Sequence, residues 1–379
     1  MLYTIPDYYK EFRCIAGDCE DTCCAGWQIV VDPKSLARYR KVKGSFAGKL
    51  RRSVDWKNGT FHQTKGRRCA FLNQENLCDL YAALGKQSLC RTCRLYPRHV
   101  EEFENVREIT LSLSCPEAAR LILAKKEPVR FLNYEKDGEE EYEDFDPLMY
   151  SALVRTREVM LRILQDRTKS IPVRGALVLG MAHDLQVRLE KGMLFSYEEI
   201  LERYQKSSAE AFINKKTEDW KQDTGRRFAD AQMLFANLYD LEILREEWKT
   251  VLDESAYILY GKGEAQYRKL KERFEIWRKE QLPELDVMKE QILVYFIFTY
   301  LCGVVYDGNV YAKAKMAVIC TFLICELLAA RWYKNEETLE FGDIVEVVYQ
   351  FSREIEHSDP NLERMERSIF PLEIRRSTS

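Results

Sequence analysis

The sequence predicts a mainly α protein, with a small cysteine-rich metal-binding N-terminal domain carrying short strands and an α-helical bundle domain behind it. Three observations predict this. Nine of the twelve cysteines fall in the first 115 residues, among lysines and arginines rather than in apolar runs. Beyond about residue 147, apolar side chains recur at helical spacing, and Gly and Pro are sparse inside the periodic segments. Between the two lies Asn133 to Pro147, NYEKDGEEEYEDFDP, an acidic stretch almost without aliphatic side chains. The expected division is therefore 1–130, an acidic linker over 131–147, and 148–379. With 379 residues, 46% hydrophobic and 12% aromatic, the chain has ample material for a real core.

The opening MLYTIPDYYKEF has no positively charged segment followed by an apolar one, so the expected compartment is the cytoplasm, where thiols stay reduced. A dense thiol set there is packed, used for redox catalysis, or bound to metal, and four groups at short spacings favour metal. The first group is Cys14-x4-Cys19-x3-Cys23-Cys24, followed by AGWQIVVD, whose Ile29 to Val31 predicts a short strand. In an extended backbone Cys23 and Cys24 diverge, so both binding one ion is strained; one bridges, serves another site or packs. The second group holds Cys69, Cys78 and the CxxC pair Cys90 and Cys93, whose spacing lets both sulfurs face one metal. Cys115 precedes Pro116 in LSLSCPEAARLILA, a helix N-cap-like position where a depressed thiol pKa is expected. Nine thiols permit two four-ligand sites with one left over, or one such site with structural cysteines around it. Zinc and an iron–sulfur cluster both remain open.

The radical-enzyme spacing CxxxCxxC is absent, because Gly26 stands at its third position, and neither a GxGxxG nor a P-loop occurs. Gly44 to Gly48 reads as a turn. Residues 1–130 hold 23 Lys plus Arg against 15 Asp plus Glu, while the rest holds 35 against 46. The basic front compensates anionic thiolates or meets an acidic group; its charges are scattered rather than arrayed with aromatics, which argues against nucleic acid.

Helices are expected near 148–167, 173–191, 226–252, 264–281, 285–305, 311–333 and 338–357. A capping-box pattern, Ser196 with Glu199, opens another that runs to about Asn214. Leu234, Phe235, Leu238, Leu241, Leu244 and Trp248 mark one face of the segment ending near Leu252. The uncharged runs Gln291 to Tyr306 and Met316 to Cys325 fall short of the about 20 residues a bilayer requires, so no membrane span is expected and both read as central bundle helices. Cys302, Cys320 and Cys325 lie in or beside these runs as small buried hydrophobes. Tyr295, Tyr300, Tyr306 and Tyr311 form either an aromatic wall for a cation or core aromatics with satisfied hydroxyls. His62, His99, His183 and His357 show no ligand spacing, and only His99, six residues after Cys93, stands out.

FRCIAGDCEDTCCAGWQIVVD, then CAFL, CDLY, LCRTCRLYPR and LSLSCPEAA, in that order over roughly residues 10–125, resemble the flagellin lysine-N-methylase family, FliB. That family's front part is a cysteine-cluster domain that chelates zinc or iron. The resemblance implies transfer of a methyl group from S-adenosylmethionine to lysine Nζ of flagellin or another surface-exposed protein. It also implies a 4Fe-4S cluster, with zinc as the alternative, on Cys14, Cys19, Cys23, Cys24, Cys69, Cys78, Cys90, Cys93 and Cys115. Catalytic and donor-binding residues are not assigned by it. Such a reaction needs the lysine ammonium deprotonated and aligned behind the sulfonium methyl, work for which carboxylates and tyrosines are suited. Two other classes stay open: a non-catalytic metal-stabilised protein-binding module, and a metal-storage or redox-sensing protein.

Overall fold

The structure is a computed structural model that describes residues 1–137 and 146–368. Its first strand, β1 (Leu2–Pro6), leaves the sheet at once, and the chain builds a small module before returning. The module contains helices α1 (Pro33–Arg40) and α2 (Ala47–Ser53), and the two-residue ladders β2 (Val54–Asp55) with β3 (Thr60–Phe61) and β4 (Gln63–Thr64) with β5 (Arg68–Cys69). Helices α3 (Asp79–Leu84) and α4 (Arg91–Leu95) complete it. Both oxygens of Asp32 are used in holding it together: one caps α1 at Ser35 N, and the other accepts from Arg91 N at the start of α4.

The return strands β6 (Arg98–Phe103) and β7 (Val106–Leu111) pair antiparallel, and β7 runs parallel to β1. Helix α5 (Pro116–Ala124) follows, and β8 (Phe131–Glu135) closes the sheet antiparallel to β1, in the order β6-β7-β1-β8. Asn133 to Glu135, the beginning of the acidic stretch, are thus ladder partners of Thr4 to Leu2. The remainder of that stretch over 138–145 lies outside the described residues. The strand expected at Ile29 to Val31 is extended, with Ile29 and Val31 buried and Val30 exposed. Only Val30 makes a bridge there, to Thr60, so no regular strand forms.

Strand alternation gives the sheet two working faces. Tyr3, Val100, Glu102 and Arg107 look toward α4 of the module. Glu101 and Glu108 look the other way, where Glu108 pairs with the buried Arg157 of the bundle. The apolar core follows the same division. One cluster joins Phe103, Leu111, Leu113 and α5 to the bundle helices, and a second, within the module, gathers Val31, Tyr39, Leu50, Phe61, Phe71 and Leu80.

The bundle comprises α6 (Pro147–Leu164), α7 (Ile171–Glu190), α8 (Tyr197–Tyr204), α9 (Ser207–Gln222), α10 (Thr224–Ala236), α11 (Glu246–Tyr260), α12 (Glu264–Gln281), α13 (Leu285–Tyr300), α14 (Val304–Asp307), α15 (Val310–Lys334), α16 (Phe341–Glu356) and α17 (Asp359–Arg367). Asp146 caps α6, with Pro147 in its first turn. Three expectations change. The helix from Ser196 to Asn214 is two helices, α8 and α9, and no capping box forms: Ser196 Oγ is engaged by Arg188 and Met193 O instead. The helix over 226–252 is α10 and α11, joined by a connection in which Leu238, Leu241 and Leu244 stay buried although no continuous helix carries them. The stretch Leu285–Asp307 is long and apolar enough to cross a membrane by composition, contrary to expectation. Of its apolar window 83% is buried inside the bundle, and packing on all sides is what its uniform hydrophobicity serves.

Candidate thiol centre and the polar cluster beside it

Cys23 and Cys24 occupy a turn, not extended backbone, and the Cys24 thiol lies near enough to push the Cys23 thiol pKa well above its usual range, which corrects the expected divergence. The turn is fixed by Thr22 Oγ1 accepting from Cys24 N, by Trp27 Nε1 donating to Cys23 O at 2.7 Å, and by Cys69 N donating to Cys24 O at 2.7 Å. Around it the thiols sort in two directions. Cys24, Cys69, Cys78, Cys90 and Cys93 belong to the module's own apolar cluster. Cys115, at the mouth of α5, belongs to the bundle's core and feels the charge of Cys19 and Cys23; Cys19 in turn feels Cys14, which is exposed. Cys302, Cys320 and Cys325 sit in the bundle, the first two fully buried.

Burial raises the thiol pKa of Cys19 and Cys78, and lifts Cys69 and Cys115 to about 12. The depressed pKa expected at Cys115 is therefore not found. The cysteine does stand at the N-cap with Pro116 behind it and faces the N–H groups of Ala118 and Glu117, but desolvation outweighs them. Within the CxxC the two thiols interact, which draws the pKa of Cys90 below the usual thiol range and pushes that of Cys93 far above it.

The loop that carries the first cysteines is gripped from the bundle. Arg245 Nη1 pairs with Asp21 at 2.7 Å and its Nη2 donates to Thr22 O and Ala25 O. Arg353, nearly fully buried, also pairs with Asp21 and donates from Nε to Ser114 O at 2.8 Å, one residue before Cys115. Its charge lowers the thiol pKa of Cys19 and Cys23 against the burial. Glu354 positions the other arginine by accepting from Leu244 N and Arg245 N.

The same end of α16 holds a buried polar cluster. Glu356 Oε2 accepts from the hydroxyls of Tyr295 and Tyr300, the latter at 2.9 Å, and from Ser112 Oγ at 3.2 Å. Its Oε1 is buried with no hydrogen-bond partner among the described residues. Ser112 Oγ lies 2.6 Å from Ser114 Oγ, which reaches His357 Nε2 at 2.9 Å and Tyr96 OH at 3.2 Å. His357 lies against Trp27, ring centroids 4.6 Å apart, and desolvation with Arg353 nearby lowers its pKa to about 3. The histidine beside the thiols is thus His357. His99 pairs instead with Glu101 and stands edge-on to Tyr300. Tyr306 donates to Glu102 O, and Tyr311 packs on His183, so the four tyrosines make no common wall. On the other face of the sheet, a cavity of about 360 Å³ is lined by Tyr3, Arg91, Arg94, Leu95, Val100, Glu102 and Arg107, with Glu102 paired to both Arg91 and Arg107.

Soft thiolates in a guanidinium surround fit the donor chemistry of an iron–sulfur cluster or zinc. As placed, no group of three or more His, Cys, Asp or Glu side chains among the described residues is arranged to hold a metal ion. Arg353, Arg245 and Glu356 were not foreseen. The signal open to inspection was the cluster of charges Arg353, Glu354 and Glu356 at the end of a helix whose other charges, Asp343 and Glu346, lie in its first two turns.

Fold and site together define a helical protein with a thiol-rich module clamped to its bundle. The family model described as FliB lysine N-methylase C-terminal domain matches residues 157–373, more than half of the chain, and the chain belongs to that family. It is 28% identical over 132 residues, 32% of its length, to flagellar biosynthetic protein FliU of Salmonella muenchen, covering 78% of that relative. The same identity over 132 residues holds for proteins named lysine-N-methylase from Salmonella typhimurium and Salmonella choleraesuis, of which the match spans only 33%. No solved structure matches.

Proposed function

We propose that this chain transfers a methyl group from S-adenosylmethionine to lysine Nζ of flagellin or another surface-exposed protein, acting in the cytoplasm before that protein is exported. Membership of the FliB lysine N-methylase family carries the reading, and the relatives named lysine-N-methylase agree with it. The thiol centre is proposed to hold a 4Fe-4S cluster, with Cys24, Cys69, Cys78, Cys90 and Cys93 as one donor set and Cys14, Cys19, Cys23 and Cys115 as the other source of ligands. When bound, the cluster would serve as scaffold, or as a Lewis acid for the amino and carboxylate groups of the donor. Arg353 and Arg245 hold the cysteine loop against the bundle and offset thiolate charge. Metal and acid-labile sulfide analysis of anaerobically purified protein, followed by an assay with labelled S-adenosylmethionine and flagellin, tests this. Iron with matching sulfide and label on flagellin lysine is the expected result. Zinc without sulfide and no transfer would leave a metal-stabilised binding module.

A further inference from the structure

Glu356 stands at the C-terminal end of α16, where a helix dipole disfavours negative charge. Two tyrosine hydroxyls and Ser112 all point at one of its oxygens, and the other oxygen is left without a partner among the described residues. Elsewhere the chain shows how a group of this composition is completed. Glu326 of α15 accepts from the hydroxyls of Tyr260 and Tyr267, and also from Lys271 Nζ at 2.6 Å. Two tyrosines, one carboxylate and a lysine ammonium satisfy one another there. The Glu356 group has the tyrosines and the carboxylate but no lysine among its recorded donors.

The Glu356 group also differs in lying nearer the surface. Glu356 is half-buried as a residue where Glu326 is sealed, but its unpartnered Oε1 is itself closed to solvent, so an amine reaches that oxygen only as a neighbouring side chain gives way. His99, beside Tyr300, has 30% of its side chain in solvent. The hydrogen-bonded pair Ser112 and Ser114 joins the group to the neighbourhood of Cys115, so it lies next to the thiol centre, not in a remote corner of the bundle. Burial raises the carboxyl pKa of Glu356, which makes its anion a stronger base than an ordinary carboxylate.

We infer that Glu356, with the hydroxyls of Tyr295 and Tyr300, receives the ammonium of the substrate lysine and takes its proton, an inference that rests on the methyl-transfer reading. The free Glu356 oxygen accepts the proton from the ammonium. The Nζ lone pair so released forms the N–C bond to the donor methyl, and the donor's C–S bond breaks with its electron pair kept by sulfur. The sulfonium becomes a neutral thioether and the lysine a methylammonium. Tyr295 and Tyr300 hold the carboxylate in place throughout.

The test compares binding of Nα-acetyl-lysine methylamide and Nα-acetyl-norleucine methylamide, which lacks the amine, to the full chain and to E356Q, Y300F and Y306F, by calorimetry. The wild type should prefer the lysine compound by about tenfold or more, the worth of a charge-assisted hydrogen bond. E356Q should erase the preference and Y300F should weaken it severalfold, while Y306F, whose hydroxyl serves Glu102 O, should leave it intact. No preference in the wild type, or an equal one in E356Q, overturns the inference; if E356Q does not fold, Y300F decides by the same measure. Transfer of methyl to flagellin that persists within twofold in E356Q overturns the inference and leaves the methyltransferase reading standing. A Glu356-dependent lysine preference without any methyl transfer does the reverse.

Discussion

Asp21 receives guanidinium groups from Arg245 and Arg353, side chains that follow it by 224 and 332 positions. Neither contact is visible to spacing rules, which see only near neighbours, yet the pair decides where the first four cysteines lie. Removing one partner of a buried ion pair and stranding the other costs about 3–5 kcal/mol; Asp21 would keep Arg245, so the loss of Arg353 costs less than that. R353M is therefore expected to lower the unfolding midpoint by several degrees and to reduce the metal retained after purification; an unchanged metal content would separate the clamp from the centre. Glu354 offers a pH readout. Burial raises its carboxyl from the ordinary 4.5 to about 7, so in folded protein it keeps its proton where the unfolded chain has lost it. Its contribution to stability is fully present below about pH 4.5 and is lost as pH rises to about 7. Thermal unfolding of wild type and E354Q at pH 5 and pH 7.5 should show the difference between them moving against the wild type as pH rises, and equal differences at both would refute the assignment.

At the scale of elements, the turn from Cys23 to Gly26 is the most constrained. Gly26 has φ +92°, and a Cβ there would lie 2.7 Å from Arg245 Nε. G26A is expected to displace Arg245 and strain the turn together, costing more than the roughly 1 kcal/mol of a simple glycine replacement; chemical denaturation measures it. Helices were legible where one face alone is buried: α12 spans the residues its periodicity predicts, 264–281. Breaks were not. Leu241 and Leu244 continue the helical spacing by position, while the backbone between α10 and α11 is irregular and reaches the same core. The turn at Cys23 and Cys24 was hidden for a related reason, since it is stitched by Cys69 and Trp27 rather than by local propensity.

Over the whole molecule, two separate cores share one chain, and the sheet stands between them. The module core is small and rich in thiols, so removal of the proposed metal should unfold it first. Treating the metal-loaded protein with a chelator is expected to split a single thermal transition into two, with the bundle's transition nearly unmoved; a common downward shift would show the cores to be one cooperative unit. The clustering of the cysteines could be read from sequence because composition is local. The arginine and glutamate half comes from α16 and its neighbours, which only folding brings to the thiols.

The position of β1 has a consequence for biosynthesis. It leaves the ribosome ahead of every other described element, yet it ends between β7 and β8, whose residues begin at 106 and 131. At about 5–20 residues per second, the strand waits on the order of 5–20 s with both edges bare. All of the module, from the first cysteine to Cys93, is made in that interval. Its thiols are therefore open to loading before the sheet closes, and the nascent chain, rather than the finished protein, is the form that a metal-delivery system would meet.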